Sequence, residues 1–444
     1  MIRRLRQALQ DGDLSRRLAI LAAGATPSTL VSATLDLGPG SDDWLRLLPS
    51  RGEPFWYWAR PGTGEYRLGL GQTVHVATGG ANRFAALDNT FAGMTRNWRR
   101  EAAPIAFLGF AFHEGTRTKL PNALLAVPAL LLECRGGRCT ATVTALAGSP
   151  ERAAHGCTAL LVEQPLPASP ATLDRITQPL ADRAWLARVQ AALRSIGEGR
   201  LDKVVLARSV RLAAERPVAA APVLAALLER QPDSTIYAYG NRQAVFLGAT
   251  PERLVALRNG HAEADALAGT AWPGSAQLHG DKNSREQSLV ADVVRATLAP
   301  LCRSLVESGP PATLRVGQIS HLRSSIGGPV QEGVSLFDLA QALHPTPAVG
   351  GAPTAGALDW LRSRCEQRGG WYSGGIGHIS ADGDGEIAVA LRCALITGNQ
   401  VELQAGAGIV AGSDPEQEFA ETEAKLATLL DVLQEPAWQE KTGT

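Results

Sequence analysis

The stretch Gln404-Ala-Gly-Ala-Gly-Ile-Val-Ala-Gly-Ser-Asp-Pro-Glu-Gln-Glu-Phe-Ala-Glu-Thr-Glu-Ala-Lys425 sets the reading of the whole chain. It begins as a strand, turns through Gly406, Gly408 and Gly412, and enters a helix. Ser413 or Asp414 is its N-cap and Pro415 lies in the first turn. Glycines at such a turn let a ligand approach the bare backbone and its N–H donors. On the helix, Glu418, Glu421 and Lys425 are spaced three and then four apart, which puts them on one face. A charged helical stripe is ordinarily a solvated surface. This one directly follows a Gly-rich turn, so its first residues are expected at a ligand. Two carboxylates and a lysine beside backbone donors suit a divalent cation together with an anionic substrate.

Composition bounds the rest. The 444 residues can bury a large core, as one compact body or as two or three domains. Lys+Arg and Asp+Glu are 43 each, so no global field draws the protein to nucleic acid. No run approaches eighteen uninterrupted apolar residues, so no membrane span is expected. The N-terminus has charge but no apolar core segment, so it is not a signal peptide. Cys134, Cys139, Cys157, Cys302, Cys365 and Cys393 are scattered without a CxxC. Reduced thiols in a cytoplasmic protein are therefore expected, with no disulfide or zinc framework. Cys134 and Cys139 flank Arg-Gly-Gly-Arg, a hairpin turn.

Taken in order, residues 1–50 give one helical segment and then the alternating strand from Val31. Phe55-Trp-Tyr-Trp58 reads as core in an antiparallel sheet. A helix is expected around Arg83–Arg100, a buried strand at Pro104–Phe112 and a hairpin over 124–146. Residues 163–180 are the one linker-like stretch. Past it come a helix at Ala181–Glu198 and a strand opening at Lys203. Two hairpins turn at Gly240-Asn241 and Asn259-Gly260, and a long helix starts near Ser284. His344-Pro-Thr-Pro-Ala-Val-Gly-Gly-Ala-Pro353 can be neither helix nor central strand. A helix at 355–368, a strand pair over 371–403 and the final helix complete the chain, with 436–444 frayed. Hairpins dominate and strands cluster, so the class is α+β.

Several polar motifs sit at strand ends: Lys203-Val-Val-Leu-Ala-Arg, Ala249-Thr-Pro-Glu-Arg-Leu, Leu267-Ala-Gly-Thr270, Asp281…Arg285-Glu286, His321-Leu, Arg368-Gly-Gly-Trp-Tyr372 and Leu391-Arg392. Singly, each is better explained as a snorkelling lysine, a surface turn or a helix start. In this order, together with Gly406-Ala-Gly-Ile-Val…Glu418…Glu421-Thr, they resemble the chorismate-utilising enzymes. That family comprises the anthranilate, aminodeoxychorismate, salicylate and isochorismate synthases. The resemblance covers residues 180–435, and more loosely the N-terminal half, 1–165, as a contributor to the sheets. Lys203 and the Leu343–Pro353 stretch look like the isochorismate-forming branch, and Ala348 stands where salicylate synthases tend to carry Thr. Gln287 departs from the family's histidine, and Ala-Trp-Pro-Gly after Thr270 replaces a basic pair.

The resemblance implies one α+β body of two mostly antiparallel sheets packed face to face, with helices outside and the site in a cleft. It implies conversion of chorismate to isochorismate: water adds at C2, the double bonds shift and the 4-hydroxyl leaves. Lys203 matches the base and Glu252 the acid; burial would make the first neutral and the second protonated. Glu286 and Glu421 match ligands of Mg2+, with Glu418 acting through water. Tyr372, Arg392 and backbone N–H groups near Gly408 would meet the enolpyruvyl carboxylate. Gly269 and Thr270 would meet the ring carboxylate, with His321 and Lys425 also at the substrate. The product would feed menaquinone, catecholate siderophore or salicylate synthesis. A salicylate synthase, an amine-forming synthase and a non-catalytic chorismate-binding module are the rival readings. No Gly-x-Cys-x-Gly elbow occurs, so no glutaminase is fused, and the protein is expected to be a monomer.

Overall fold

The alternating and apolar runs pair into two large sheets, of thirteen and ten strands among the described residues. A computed structural model describes residues 2–40, 44–49, 52–115, 118–164, 172–176, 179–273, 275, 278–366 and 368–434. Pairing is antiparallel throughout both sheets except where Leu30–Pro39 runs parallel to Arg99–Arg100. The class is α+β, with helices packed on the sheets.

Strands from both halves of the chain share both sheets. In the larger, Phe55–Arg60 pairs with Thr235–Gly240. In the smaller, Ile105–Phe110 pairs with Gly375–Ser380. Phe55-Trp-Tyr-Trp58 is core, as expected: Trp56 stacks on Phe107 with centroids 5.4 Å apart and lies 5.8 Å from Trp371. These rings fill the space between the sheets. The two helices that matter for function pack on different sheets. Asp281–Leu298 lies on the smaller, against His261–Ala271, and Pro415–Gln434 on the larger, against Gln400–Val410.

Several expectations need correction. The first helical segment is two helices, Ile2–Gln10 and Asp13–Ala22, broken where Gly12 takes a φ of +79°. The strands of 371–403 are not one pair. Gly375–Ser380 and Gly385–Val389 form a hairpin in the smaller sheet, while Cys393–Thr397 joins Gln400–Val410 in the larger. Part of the expected linker is ordered: Leu173–Arg175 pairs along Leu212–Ala214 as an edge strand. Residues 165–171 and 177–178 of that stretch, and the tail 436–444, lie outside the described residues. The Pro-rich stretch after His344 is irregular, with cis bonds at His344-Pro345 and Ala352-Pro353. Its end, Gly351–Ala352, still pairs with Lys203 and Val204 and so lays the loop beside the start of that strand. No described helix is long and apolar enough to cross a membrane.

Candidate active site

The chain crosses between the two sheets at a few points, and polar residues collect there. Thr250 ends a strand of the larger sheet and Arg253 starts one of the smaller, so Pro251 and Glu252 span the gap. The chain returns between Val389 and Cys393, carrying Leu391 and Arg392. The two crossings are tied together. Thr250 Oγ1 donates to Val389 O at 2.7 Å, Val389 N–H donates to Glu252 O at 3.0 Å, and Ala249 N–H donates to Arg392 O at 3.1 Å. Residues at a crossing have left one ladder without joining the next, so their side chains are available to a ligand.

A cleft of about 660 Å³, counting its open mouth, forms at these crossings. Lys203, Glu252, Gly269, Thr270, Glu286, His321, Tyr372, Arg392, Gly408, Glu421 and Lys425 all line it. Of the candidate catalytic, substrate and metal residues, Glu418 alone is not part of the lining.

Lys203 opens the strand Lys203–Ala214 and is 1% exposed, with Nζ 2.8 Å from Glu286 Oε1. Beneath this pair lies Gly408. A Cβ there would sit 2.5 Å from Glu286 Oε1 and 2.8 Å from Lys203 Cε. The expectation that the chain turns at Gly406 and Gly408 is therefore wrong. Both lie inside the strand Gln400–Val410, and only Gly412, at φ +86°, is in the turn. The glycines admit side chains and ligand rather than bending the backbone. The register also exposes their amides. Val205 N–H donates to Gly350 O and Ala207 N–H to Glu366 Oε1, so neither bonds across to its partner, Gly408 or Gly406. In an antiparallel ladder such partners point their own N–H and C=O groups away from the shared edge. Gly406 O accordingly accepts from Lys425 Nζ at 2.9 Å.

Glu252 is 3% exposed, and its Oε1 has no hydrogen-bond partner. Burial, reinforced by Asp265 and opposed by Lys203 and Arg392, pushes its carboxyl up to about 8. It is thus a protonated acid at neutral pH. Burial would raise Glu286 too, but the Lys203 ammonium, with Lys425 and Lys282, holds it below the usual carboxylate range.

Gly269 forms a bulge at φ +70° in the strand His261–Ala271, and Asn283 closes over it. Thr270 N–H reaches Asn283 Oδ1 at 3.4 Å. His321 lies between Gly269 O, 3.1 Å from Nδ1, and Arg392 Nη2, 3.1 Å from Nε2. A guanidinium can only donate, so Nε2 accepts and Nδ1–H donates to Gly269 O. Burial and the charges of Arg392 and Lys425 drive His321 well below its ordinary value. It is a neutral strut that orients Arg392. Arg392, at φ +47°, keeps a buried Nε without a partner.

On the final helix Asp414 is the cap, its Oδ1 accepting from Gln417 N–H at 2.9 Å. Glu418 (1% exposed) and Glu421 (8%) face inward, so the stripe is not a solvated surface. Each of the three carboxylates meets a lysine: Glu286 meets Lys203, Glu418 meets Lys282 at 2.5 Å, and Glu421 meets Lys425 at 2.5 Å. Glu418 Oε2 is buried without a partner, and burial plus Glu421 raises this carboxyl. Hard oxygen donors with an unsatisfied buried atom fit a divalent cation such as Mg2+. Among the described residues no three such side chains form a cage by themselves.

Sequence reasoning gave no role to three contributors. Lys282 occupies the first turn of its helix, and only the fold brings it to Glu418. Arg368 donates to Val349 O at 2.8 Å, Val205 O at 2.9 Å and Ser373 Oγ at 2.6 Å. It thereby ties the loop carrying Ala348 to the Lys203 strand; its place beside Gly369-Gly370 was the available signal. Gln404 lines the cleft and accepts from Gly369 N–H at 3.0 Å. Gln287, the departure beside Glu286, faces away from the cleft and donates to Ala266 O at 2.9 Å.

Comparison with known proteins matches residues 20–434 to the family described as chorismate binding enzyme. Among relatives, the salicylate biosynthesis isochorismate synthase of Pseudomonas aeruginosa is 32% identical over 91% of this chain and 90% of its own. The isochorismate synthase MenF of Bacillus subtilis is 35% identical over 56% of this chain, and the match spans only 55% of that relative. Among solved structures, the menaquinone-specific isochorismate synthase MenF of Escherichia coli superposes with a TM-score of 0.78 at 28% identity. That superposition covers 95% of this chain and 99% of that one.

Proposed function

The chain belongs to the chorismate binding enzyme family, and on that premise we propose that it isomerises chorismate to isochorismate. The observation that carries this reading is Glu252, a buried carboxyl kept protonated with one oxygen unsatisfied, in the same cleft as a buried lysine. Binding alone requires neither group.

Lys203 takes a proton from the water that attacks C2, and Glu252 gives one to the departing 4-hydroxyl. The proton gained on one side balances the proton lost on the other, so only the ring changes. Lys203 meets Glu286, and Glu252 has no cation in hydrogen-bond contact, so the two do not quench each other as an ion pair. Proton abstraction requires Lys203, the cationic partner of Glu286 in the free protein, to give up that contact and enter the step as a neutral amine. Arg392, oriented by His321, offers its planar fork to the enolpyruvyl carboxylate, beside Tyr372 and the outward amides of Gly406 and Gly408. Gly269 and Thr270 meet the ring carboxylate at the bulge. Glu286 and Glu421, with Glu418 through water, would hold Mg2+. When bound, that ion would polarise the ring carboxylate and favour attack at C2.

We propose that the product feeds menaquinone, catecholate siderophore or salicylate synthesis; relatives include salicylate-biosynthesis, vibriobactin-specific and menaquinone-specific isochorismate synthases. We further propose a cytoplasmic monomer without a glutaminase. The test is incubation of purified protein with chorismate and Mg2+, followed by chromatography. Isochorismate as the sole product is expected; salicylate with pyruvate would make it a salicylate synthase. Unchanged chorismate would overturn the enzymatic reading.

A further inference from the structure

The hairpin Leu130–Arg135 and Arg138–Leu146 lies away from the cleft and carries one cysteine on each arm. Its turn is Gly136-Gly137, with φ of +55° and +77°, the two-residue form that matches the twist of antiparallel strands. Arg135 faces Arg138, and the next pair inward is Cys134 opposite Cys139. The ladder's parity follows from the far end. Thr144 N–H donates to Ala129 O, so odd-numbered residues of the first arm exchange the hydrogen bonds. Cys134 and Cys139 are therefore a non-hydrogen-bonded pair. Such pairs bring opposite Cα atoms to about 4.5 Å and their side chains closest together. That separation lies within the span of a disulfide. The two sulfurs are 2.6 Å apart. Cys134 is 4% exposed and Cys139 fully buried, so only a small oxidant could reach them.

We propose that Cys134 and Cys139 are an oxidative modification site, closed to a cross-strand disulfide by a peroxide. Cys134 attacks the peroxide, whose O–O bond breaks; the sulfur is oxidised to a sulfenic acid and the other oxygen leaves as water. The Cys139 thiol then displaces the sulfenic hydroxyl, which leaves as a second water, and the S–S bond forms. Two thiols lose two hydrogens and one peroxide is reduced to two waters. The crosslink pins both arms, and through them the neighbouring strand Leu30–Pro39, whose Gly38 faces Cys139. The sequence spacing marked a turn, but only the register shows that its flanking thiols share one face. The inference is independent of the catalytic reading.

The test treats the full chain with hydrogen peroxide, alkylates it in denaturant and maps its peptides by mass spectrometry. The expected result is a loss of about 2 Da on the segment holding Cys134 and Cys139, with neither alkylated and full reversal by dithiothreitol. Alkylation of both cysteines would overturn the proposal. So would conversion of Cys134 to a sulfinic or sulfonic acid while Cys139 stays a thiol. In Cys139→Ser the same treatment should leave Cys134 without a disulfide partner, and a bridge from Cys134 to any other cysteine would equally refute it. The wild-type peptide map decides the matter even if that variant fails to fold.

Discussion

Glu252 and Glu286 line the same cleft, the first buried and the second with 13% of its side chain exposed, and are driven in opposite directions. Glu252 stands on a crossing between sheets with no cation in contact, and burial raises it to about 8. Glu286 stands on a helix whose neighbourhood supplies Lys203, Lys282 and Lys425, and it falls below the ordinary carboxylate range. Burial is common to both, so the partner decides the protonation state. One cleft thereby holds a carboxylic acid able to donate a proton and carboxylates able to hold a cation.

Removing the acid or the base should break this arrangement most severely. Lys203→Ala and Glu252→Gln should each lower kcat by about 10²–10⁴-fold, the usual worth of general acid–base catalysis. Chorismate affinity should stay largely intact, because neither residue anchors a carboxylate. Single-turnover kinetics with a separate binding titration checks this. Near-normal kcat in Lys203→Ala would end the mechanism.

Glu421→Gln tests the other member of the comparison. It should weaken divalent-cation binding roughly 10–100-fold, with turnover falling in parallel. Calorimetric titration with Mg2+ measures it, and full activity in excess chelator would refute the metal assignment. Gly408→Ala approaches the same groups from beneath. Its Cβ would collide with Glu286 Oε1 and Lys203 Cε, so activity should fall while the melting temperature changes little.

The pH dependence sharpens the contrast at smaller cost to the enzyme. Glu252 holds its proton below about 8, so the turnover that depends on it should decline as pH rises through that value. Its raised pKa means that the folded state binds a proton the unfolded chain releases above the ordinary value of 4.5. The associated stability is full below 4.5 and is lost as pH rises towards about 8. Glu252→Gln should therefore melt higher than wild type above pH 8, as a thermal scan would show. Ala348→Thr should have the smallest effect, a rise in salicylate and pyruvate as minor products. Ala348 lines the cleft on the loop that Arg368 holds, and an unchanged product ratio would remove it as a determinant.

The site was legible from the sequence to unequal degrees. Motif order named eleven residues that the fold gathers into one cleft, including Arg392 and Tyr372, which adjoin different sheets. The role given to Gly406 and Gly408 was not legible. A glycine pair between apolar residues reads the same whether the strand turns or makes room for side chains from elsewhere. Lys282 and Gln404 were missed for a related reason. Nothing local distinguishes a lysine at a helix start that will meet Glu418, 136 residues away, from one that will meet water.

By itself the sequence determined the hairpin turns, because Gly-Gly, Gly-Asn and Asn-Gly act over a few residues, but not the reach of the arms: Ala123–Val127, expected in the first hairpin, is a strand of the smaller sheet. It also determined that Glu418, Glu421 and Lys425 share one face of the final helix, because spacings of three and four fix a face whatever packs on it. Tertiary structure alone decided which carboxylate keeps a proton. That depends on dielectric surroundings and on lysines contributed by other elements, and neither is a property of a residue's own neighbours in the chain. It alone decided, too, that two thiols five positions apart share one face of a ladder, since the register of a sheet is settled by the pairing of both arms.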